Sequence, residues 1–260
     1  MILLVDIGNS EVVLAVERAG AFSRRIRIES RIGPTPDQVG VELERLVRQA
    51  GGVPGSFLGG VVASVVPPLT EVYREAAATC LGVDLQRLPG PERLGVRLLV
   101  DEPATVGEDR IANTVAVARL HGRDAVVVDL GTATTFDVIT AAGDFLGGVI
   151  APGVRSGAEQ LFRRTALLPR VSEGLPARVI GRNTAECIRA GVYTGALAMI
   201  EGLIARIEAE WGRPNPLVIA TGGLSGFIAG ATPAVHEVDE LLTLKGLAEV
   251  WKTLSQTGHP

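Results

Sequence analysis

Three aspartates carry the chemistry this sequence could do. Asp6 and Asp129 each close an apolar run and open a glycine turn, in Leu3-Leu4-Val5-Asp6-Ile7-Gly8-Asn9-Ser10 and in Val126-Val127-Val128-Asp129-Leu130-Gly131-Thr132. A carboxylate at the end of a buried strand costs desolvation energy unless a cation or hydrogen bonds compensate it. A divalent metal carried by a nucleotide is a natural partner. Glycine lets the backbone come close to a ligand, and its N–H groups are expected to face outward with the neighbouring hydroxyls, so each turn is suited to holding phosphate. The third acid, Asp109, lies in Gly107-Glu108-Asp109-Arg110 at a predicted helix start. Backbone N–H groups converge there, which places Asp109 for chemistry beside anionic groups, with plain helix capping as its alternative role.

The elements that must position these acids follow from hydrophobic period. After each glycine turn a second apolar run resumes, Val12 to Val16 in the first copy and Phe136 to Ile139 in the second, so each copy reads as strand, turn, strand. Two copies, each opening about half of the chain, predict two similar α/β domains, 1–112 and 113–260, facing each other across a cleft. In the first half the pattern predicts a strand over 22–28, an amphipathic helix over 35–50, a buried strand from Gly60 and a helix over 69–81. A helix over about 111–120 leads into the second half. There a helix over about 154–164 and a long apolar helix from about Thr184 to Ile207 are expected, with Ala190, Gly191, Gly195 and Ala196 allowing close helix approach. The strand Leu217 to Thr221 ends in Gly222-Gly223, expected to let a ring or sugar rest against the backbone.

Composition excludes several classes. A formal charge of −4, a pI near 5.5 and 4% aromatic residues offer neither a basic stripe nor a stacking platform for nucleic acid. The opening strand has no basic leader and no bilayer-length apolar run, so the expectation is a cytoplasmic protein without a membrane partner. Cys80 and Cys187 lack metal or redox spacing and are expected to be buried, and His121, His236 and His259 are scattered. Only Lys245 and Lys252 are lysines, against twenty-three arginines, and neither follows a glycine-rich turn. A P-loop kinase is therefore excluded, and phosphate transfer here would take the two-aspartate route.

In order along the chain, D-I-G-N-S at Asp6, S-V-V-P at Ser64, G-E-D-R at Gly107, D-L-G-T-A at Asp129, G-G-V-I-A-P-G at Gly147, R-N-T at Arg182, T-G-G at Thr221 and L-T-L-K-G-L at Leu242 together resemble the type III pantothenate kinases. These belong to the actin-like superfamily of acetate and sugar kinases. The resemblance implies two ribonuclease-H-like (actin-like) domains, each a mixed sheet flanked by helices, and transfer of the ATP γ-phosphate to pantothenate, the first step of coenzyme A synthesis.

It also implies site residues. Asp6, Ile7, Gly8, Asn9, Ser10, Glu11, Val12 and Val13 would form the ATP phosphate loop, Asp6 acting through Mg2+, and Thr132 would contact the nucleotide. Gly107, Glu108, Asp109 and Arg110 would bind pantothenate, with Asp109 as general base. Asp129 would hold a monovalent cation, K+ or NH4+, and Thr184 would reach the substrate from the partner subunit of a homodimer. Val100 stands where many members have a tyrosine against the substrate, which removes a hydroxyl from that wall. An actin-like kinase for another small alcohol or carboxylate, and a nucleotide-binding regulator without turnover, are the competing functions.

Overall fold

The computed structural model describes residues 1–228 and 230–256, so His259 lies outside the described residues. The strands and helices are β1 (Ile2–Ile7), β2 (Glu11–Arg18), β3 (Ala21–Phe22), β4 (Ile26–Glu29), α1 (Pro36–Gln49), β5 (Gly59–Ser64), α2 (Pro67–Leu81), β6 (Leu85–Arg87), β7 (Arg97–Leu98) and α3 (Glu108–Ala116). They continue with β8 (Ala125–Leu130), β9 (Ala133–Ile139), β10 (Asp144–Pro152), α4 (Val154–Arg163), α5 (Thr184–Arg189), α6 (Gly195–Trp211), β11 (Leu217–Thr221), α7 (Ser225–Ile228), β12 (Glu237–Val238) and α8 (Leu242–Gln256).

The chain forms two compact units. The first holds Met1–Gly122, Ala142–Phe145 and the chain from Leu241 on; the second holds Arg123–Ala141 and Leu146–Glu240. The expected division at 112/113 would cut through α3, whereas the units part at Gly122, a left-handed glycine that ends a π-helical turn at Val117–His121. The C-terminal helix also differs from expectation. It belongs to the first unit, because Leu244, Leu247, Ala248 and Val250 are buried with Ile111, Ala112 and Val115 of α3.

In the first unit the sheet runs β3-β2-β1-β5-β6, with β4 also on β2. Side-chain alternation along β1 sends Leu3, Val5 and Ile7 to the layer of α1 and α2, where they meet Leu43, Val47, Leu69 and Tyr73. Ile2 and Leu4 point to the opposite layer, made by α3 and α8. Each such buried leucine or valine contributes roughly 1.5–3 kcal/mol. Two prolines at the start of α2 begin that helix as much as they end β5, since proline at the first helical positions forgoes no intrahelical hydrogen bond. The strand expected over 22–28 is broken into β3 and β4. α1 begins as expected, with Thr35 and Gln38 forming a capping box.

In the second unit the order is β12-β11-β8-β9-β10. Val126, Val128 and Leu130 pack against Tyr193, Ile200 and Ile204 of the helical run that begins with α5. That run continues through a π-helical turn at Ala190–Thr194 into α6. Thr184–Trp211 is long and apolar enough to cross a bilayer by composition, but its buried face lies on this sheet.

The internal duplication is deeper than a shared motif. β1 pairs antiparallel with β2 and parallel with β5, placing Asp6 between Val13 and Ala63. β8 pairs antiparallel with β9 and parallel with β11, placing Asp129 between Thr135 and Thr221. The two acids hold the same register position in three matching strands.

Candidate active site

In the first unit the site residues gather at the carboxyl ends of β1 and β5. Asp6 has the parity of Ile2 and Leu4, so it projects to the α3 side of the sheet and is half-buried there. The Gly8 N–H does not face a ligand as expected: it donates to the Glu11 carbonyl at 3.0 Å and closes the hairpin. Gly131 does the same in the second unit, donating to the Ala133 carbonyl at 3.0 Å. Asn9 and Ser10 form the exposed tip, and Ser30 braces the turn by donating to the Gly8 carbonyl at 2.5 Å. Glu11 leaves the turn beside Arg27, 3.7 Å away, while Val12 is wholly buried and Val13 only partly.

The turn Gly107–Arg110 enters α3 next to this edge. Gly107 is the helix N-cap and supplies no side-chain cap, so Asp109 is not the capping residue. Its Oδ1 instead accepts the N–H of Arg110 at 2.8 Å. Part of Asp109 reaches solvent, yet protein crowds most of its surroundings. That desolvation raises its pKa above the ordinary aspartate value, against the lowering pull of the Arg110 N–H and guanidinium. The Arg110 guanidinium lies over the Phe145 ring, 4.9 Å from the centroid. The Leu99 N–H donates to the Phe145 carbonyl at 2.8 Å, which brings the half-buried Val100 to the same neighbourhood. A β-carbon at Gly107 would run into the Asp109 carboxylate, so the turn admits glycine alone without displacing the acid.

Glu108 is engaged by the protein itself. One carboxylate oxygen accepts the Ser64 N–H at 2.8 Å and the other accepts Arg87 Nη2 at 3.0 Å. Each oxygen thus has a partner within the protein. Sequence reasoning missed Arg87 altogether, because its partner is a long way along the chain and no local spacing announces it.

In the second unit, Asp129 is the last residue but one of β8, and Thr132 stands exposed in the turn that follows. Two glycines are required by backbone approach to this turn. A β-carbon at Gly153 would strike the Thr132 carbonyl, and one at Gly222, where φ is +89°, would strike the Asp129 carboxylate and the Leu130 backbone. Gly222 thus serves the acid's own packing. Ser156, in the first turn of α4, donates to the Thr132 carbonyl at 2.8 Å. Asp137 is completely buried on β9.

Thr184 is exposed at the first position of α5, where Asn183 is the cap and accepts the Glu186 N–H at 2.9 Å. Of the small residues further on, Ala190 and Ala196 are buried within the unit, whereas Gly191 and Gly195 are exposed with open space beside them. Cys187, expected inside, is exposed; Cys80 packs its sulfur against Gly40, joining α1 to α2.

The profile of the family described as type III pantothenate kinase matches residues 2–206. The chain belongs to that family. It is 40% identical over 252 residues to the type III pantothenate kinase of Moorella thermoacetica, covering 97% of this chain and 99% of that one. With the type III pantothenate kinase of Myxococcus xanthus it shares 38% over 251 residues, covering 96% and 98%. Among solved structures, a protein from Sinorhizobium meliloti assigned as a 2-dehydro-3-deoxygalactonokinase superposes with a TM-score of 0.63 at 14% identity, over 100% of this chain and 99% of that one. One from Campylobacter jejuni assigned to the Baf family of transcriptional activators gives 0.62 at 20%, over 98% and 99%. At these identities the two structures are similar in fold alone. As a type III pantothenate kinase, the chain has an actin-like kinase fold of two mixed sheets flanked by helices.

Proposed function

We propose that this kinase transfers the γ-phosphate of ATP to the terminal hydroxyl of pantothenate, in the first step of coenzyme A synthesis, with Asp109 as the general base. The observation that carries the reading is the desolvated carboxylate of Asp109 at the mouth of α3 in a chain matching the family over residues 2–206. Phosphoryl transfer asks a protein for positioning and charge neutralisation more than for covalent help. Asp109 orients the acceptor hydroxyl and takes its proton as the new O–P bond forms, and Arg110, held against Phe145, keeps positive charge beside it. Val100, Gly107 and Arg110 line the pantothenate end; the tip from Gly8 to Ser10 and Thr132 serve the nucleotide.

ATP is used with a divalent metal, here Mg2+, and the half-buried carboxylate of Asp6 at a strand end is the residue that would hold it. Asp129, hemmed in by the backbone of Gly222, is the oxygen ligand that would hold K+ or NH4+. When bound, these cations supply neutralisation of charge on the phosphates. Rates in sodium alone should fall well below those in potassium; equal rates would remove the assignment to Asp129.

The same reading makes the protein a cytoplasmic homodimer with neither nucleic acid nor membrane as partner. The exposed stripe Gly191, Gly195, Ala198 and Gly202 supports a close approach of two helices, with Thr184 at its head reaching the partner's substrate. The decisive assay offers ATP, magnesium and potassium with a panel of acceptors. Turnover of another alcohol or of a carboxylate without turnover of pantothenate overturns the substrate, and no turnover at all favours a regulator. Shared sites are tested by mixing Asp109→Asn with Thr184→Trp protein under subunit exchange. Activity should return in the mixture, and its absence despite exchange places Thr184 at its own chain's site.

A further inference from the structure

Glu108 bridges the first turn of α3 to the strand edge of β5 and β6, through the Ser64 N–H and the Arg87 side chain. Arg110 of the same turn is held separately, over the Phe145 ring. Gly107 provides no cap, and Asp109 spends its hydrogen bond on the next residue of its own turn. The Asp109 carboxylate lies close against Gly107, so its position is tied to where the whole turn sits. Through Glu108 that turn is tied to the Ser64 N–H, and Ser64 is in register with Ile7, one residue past Asp6. Arg87, in register with Val62, reaches across from β6 to the other oxygen of the same carboxylate.

We propose that Glu108 is a positioning residue rather than a substrate ligand: with Arg87 and the Ser64 N–H, it locks the first turn of α3 onto the ends of β5 and β6 and so fixes the Asp109 carboxylate in line with the acceptor hydroxyl. The inference rests on Asp109 being the general base. It separates binding from catalysis, because a turn displaced by an ångström still admits substrate but loses the alignment on which rate depends, an effect that reaches about 100-fold for such a shift. It also separates catalysis from stability. Arg87 is half-exposed, with 53% of its side chain accessible, and ion pairs of that kind add about 0–1 kcal/mol to a fold.

The experiment measures kcat, KM for pantothenate and for ATP, and thermal midpoint for four variants. Glu108→Ala should lower kcat by roughly 10- to 100-fold with both KM values within about threefold of the parent. Glu108→Gln keeps an oxygen acceptor for the Ser64 N–H and should recover kcat to within about fivefold of the parent. Arg87→Met should lower kcat by roughly 3- to 10-fold at an unchanged thermal midpoint. Asp109→Asn is the control for the underlying reading. If it stays active, the general-base assignment falls. If it is inactive while folded Glu108→Ala keeps the parent's kcat, or loses affinity for pantothenate at constant kcat, the positioning role falls and the assignment of Asp109 stands. Should Glu108→Ala not fold, Arg87→Met decides: a fall in kcat sustains the proposal and an unchanged kcat overturns it.

Discussion

Asp109 sits where desolvation lifts its pKa while the Arg110 N–H and charge pull it down, and desolvation is the larger influence. Two outcomes follow with opposite signs. In its proposed role as general base it must be ionised, so kcat/KM for pantothenate should fall on the acid side through a pKa above that of an ordinary aspartate, measurable as a pH–rate profile. For stability, a folded pKa above the unfolded one means that the fold holds the proton more tightly. The contribution is fully present below the unfolded value and is lost as pH rises through the raised folded value. Asp109→Asn should therefore lower turnover by about 10²–10⁴-fold, yet melt at neutral pH no lower than the parent. A large loss of thermal stability would mean that the carboxylate is structural. The type and place of this residue were legible in the sequence, because glycine before and arginine after an acid at a helix start are local signals. The use of Glu108 was not, since its partners Ser64 and Arg87 are 44 and 21 residues away.

At the level of elements, the turn after β8 depends on glycines whose roles differ within one short stretch. Gly153 leaves no space beside the Thr132 carbonyl, whereas Gly157, inside α4, has nothing within 4 Å of the position of a β-carbon. Gly157→Ala should stabilise the protein by about 0.5–1 kcal/mol through helix propensity. Gly153→Ala should destabilise it by roughly 1–3 kcal/mol, as forced overpacking does, and raise KM for ATP if Thr132 contacts the nucleotide. Denaturant titration of both proteins checks the contrast, and equal stabilities would refute the packing argument. The hairpins, α1, α2 and α4 could all be read from hydrophobic period and from flanking glycine and proline, because those signals are carried by neighbours in sequence. The break between β3 and β4 could not, since the choice to pair with β2 in two pieces is made by the sheet. The outward glycine N–H groups were misjudged for the same reason: a tight hairpin turns its glycine N–H inward to the opposing carbonyl.

For the whole molecule, duplication was visible in the sequence because both strand-turn-strand units repeat the same acid and glycine. The membership of α8 was hidden. Its apolar period says that one face is buried but not against which sheet, and the answer joins Leu244 and Leu247 to residues more than a hundred positions earlier. Buried leucines of this kind cost about 2–5 kcal/mol each when cut to alanine. Ending the chain at Glu240 should thus unfold the first unit while the second, which holds none of α8, keeps its hydrogen-exchange protection. Equal protection in both units of the shortened protein would show that α8 is dispensable.

That discontinuous first unit has a bearing on how the protein is made. A ribosome releases Met1–Gly122 long before it releases α8, with roughly 120 residues still to translate, on the order of ten seconds at ordinary elongation rates. During that interval Ile2, Leu4, Val61 and Ala63 lack the helix that covers them in the finished fold. The stretch from Arg123 to Glu240 carries nearly everything its own unit needs, and it can close first. The half that begins the chain is then the half that finishes folding last, and a nascent chain stalled before Leu241 presents an apolar sheet face covered by α3 alone, of the sort that chaperones engage.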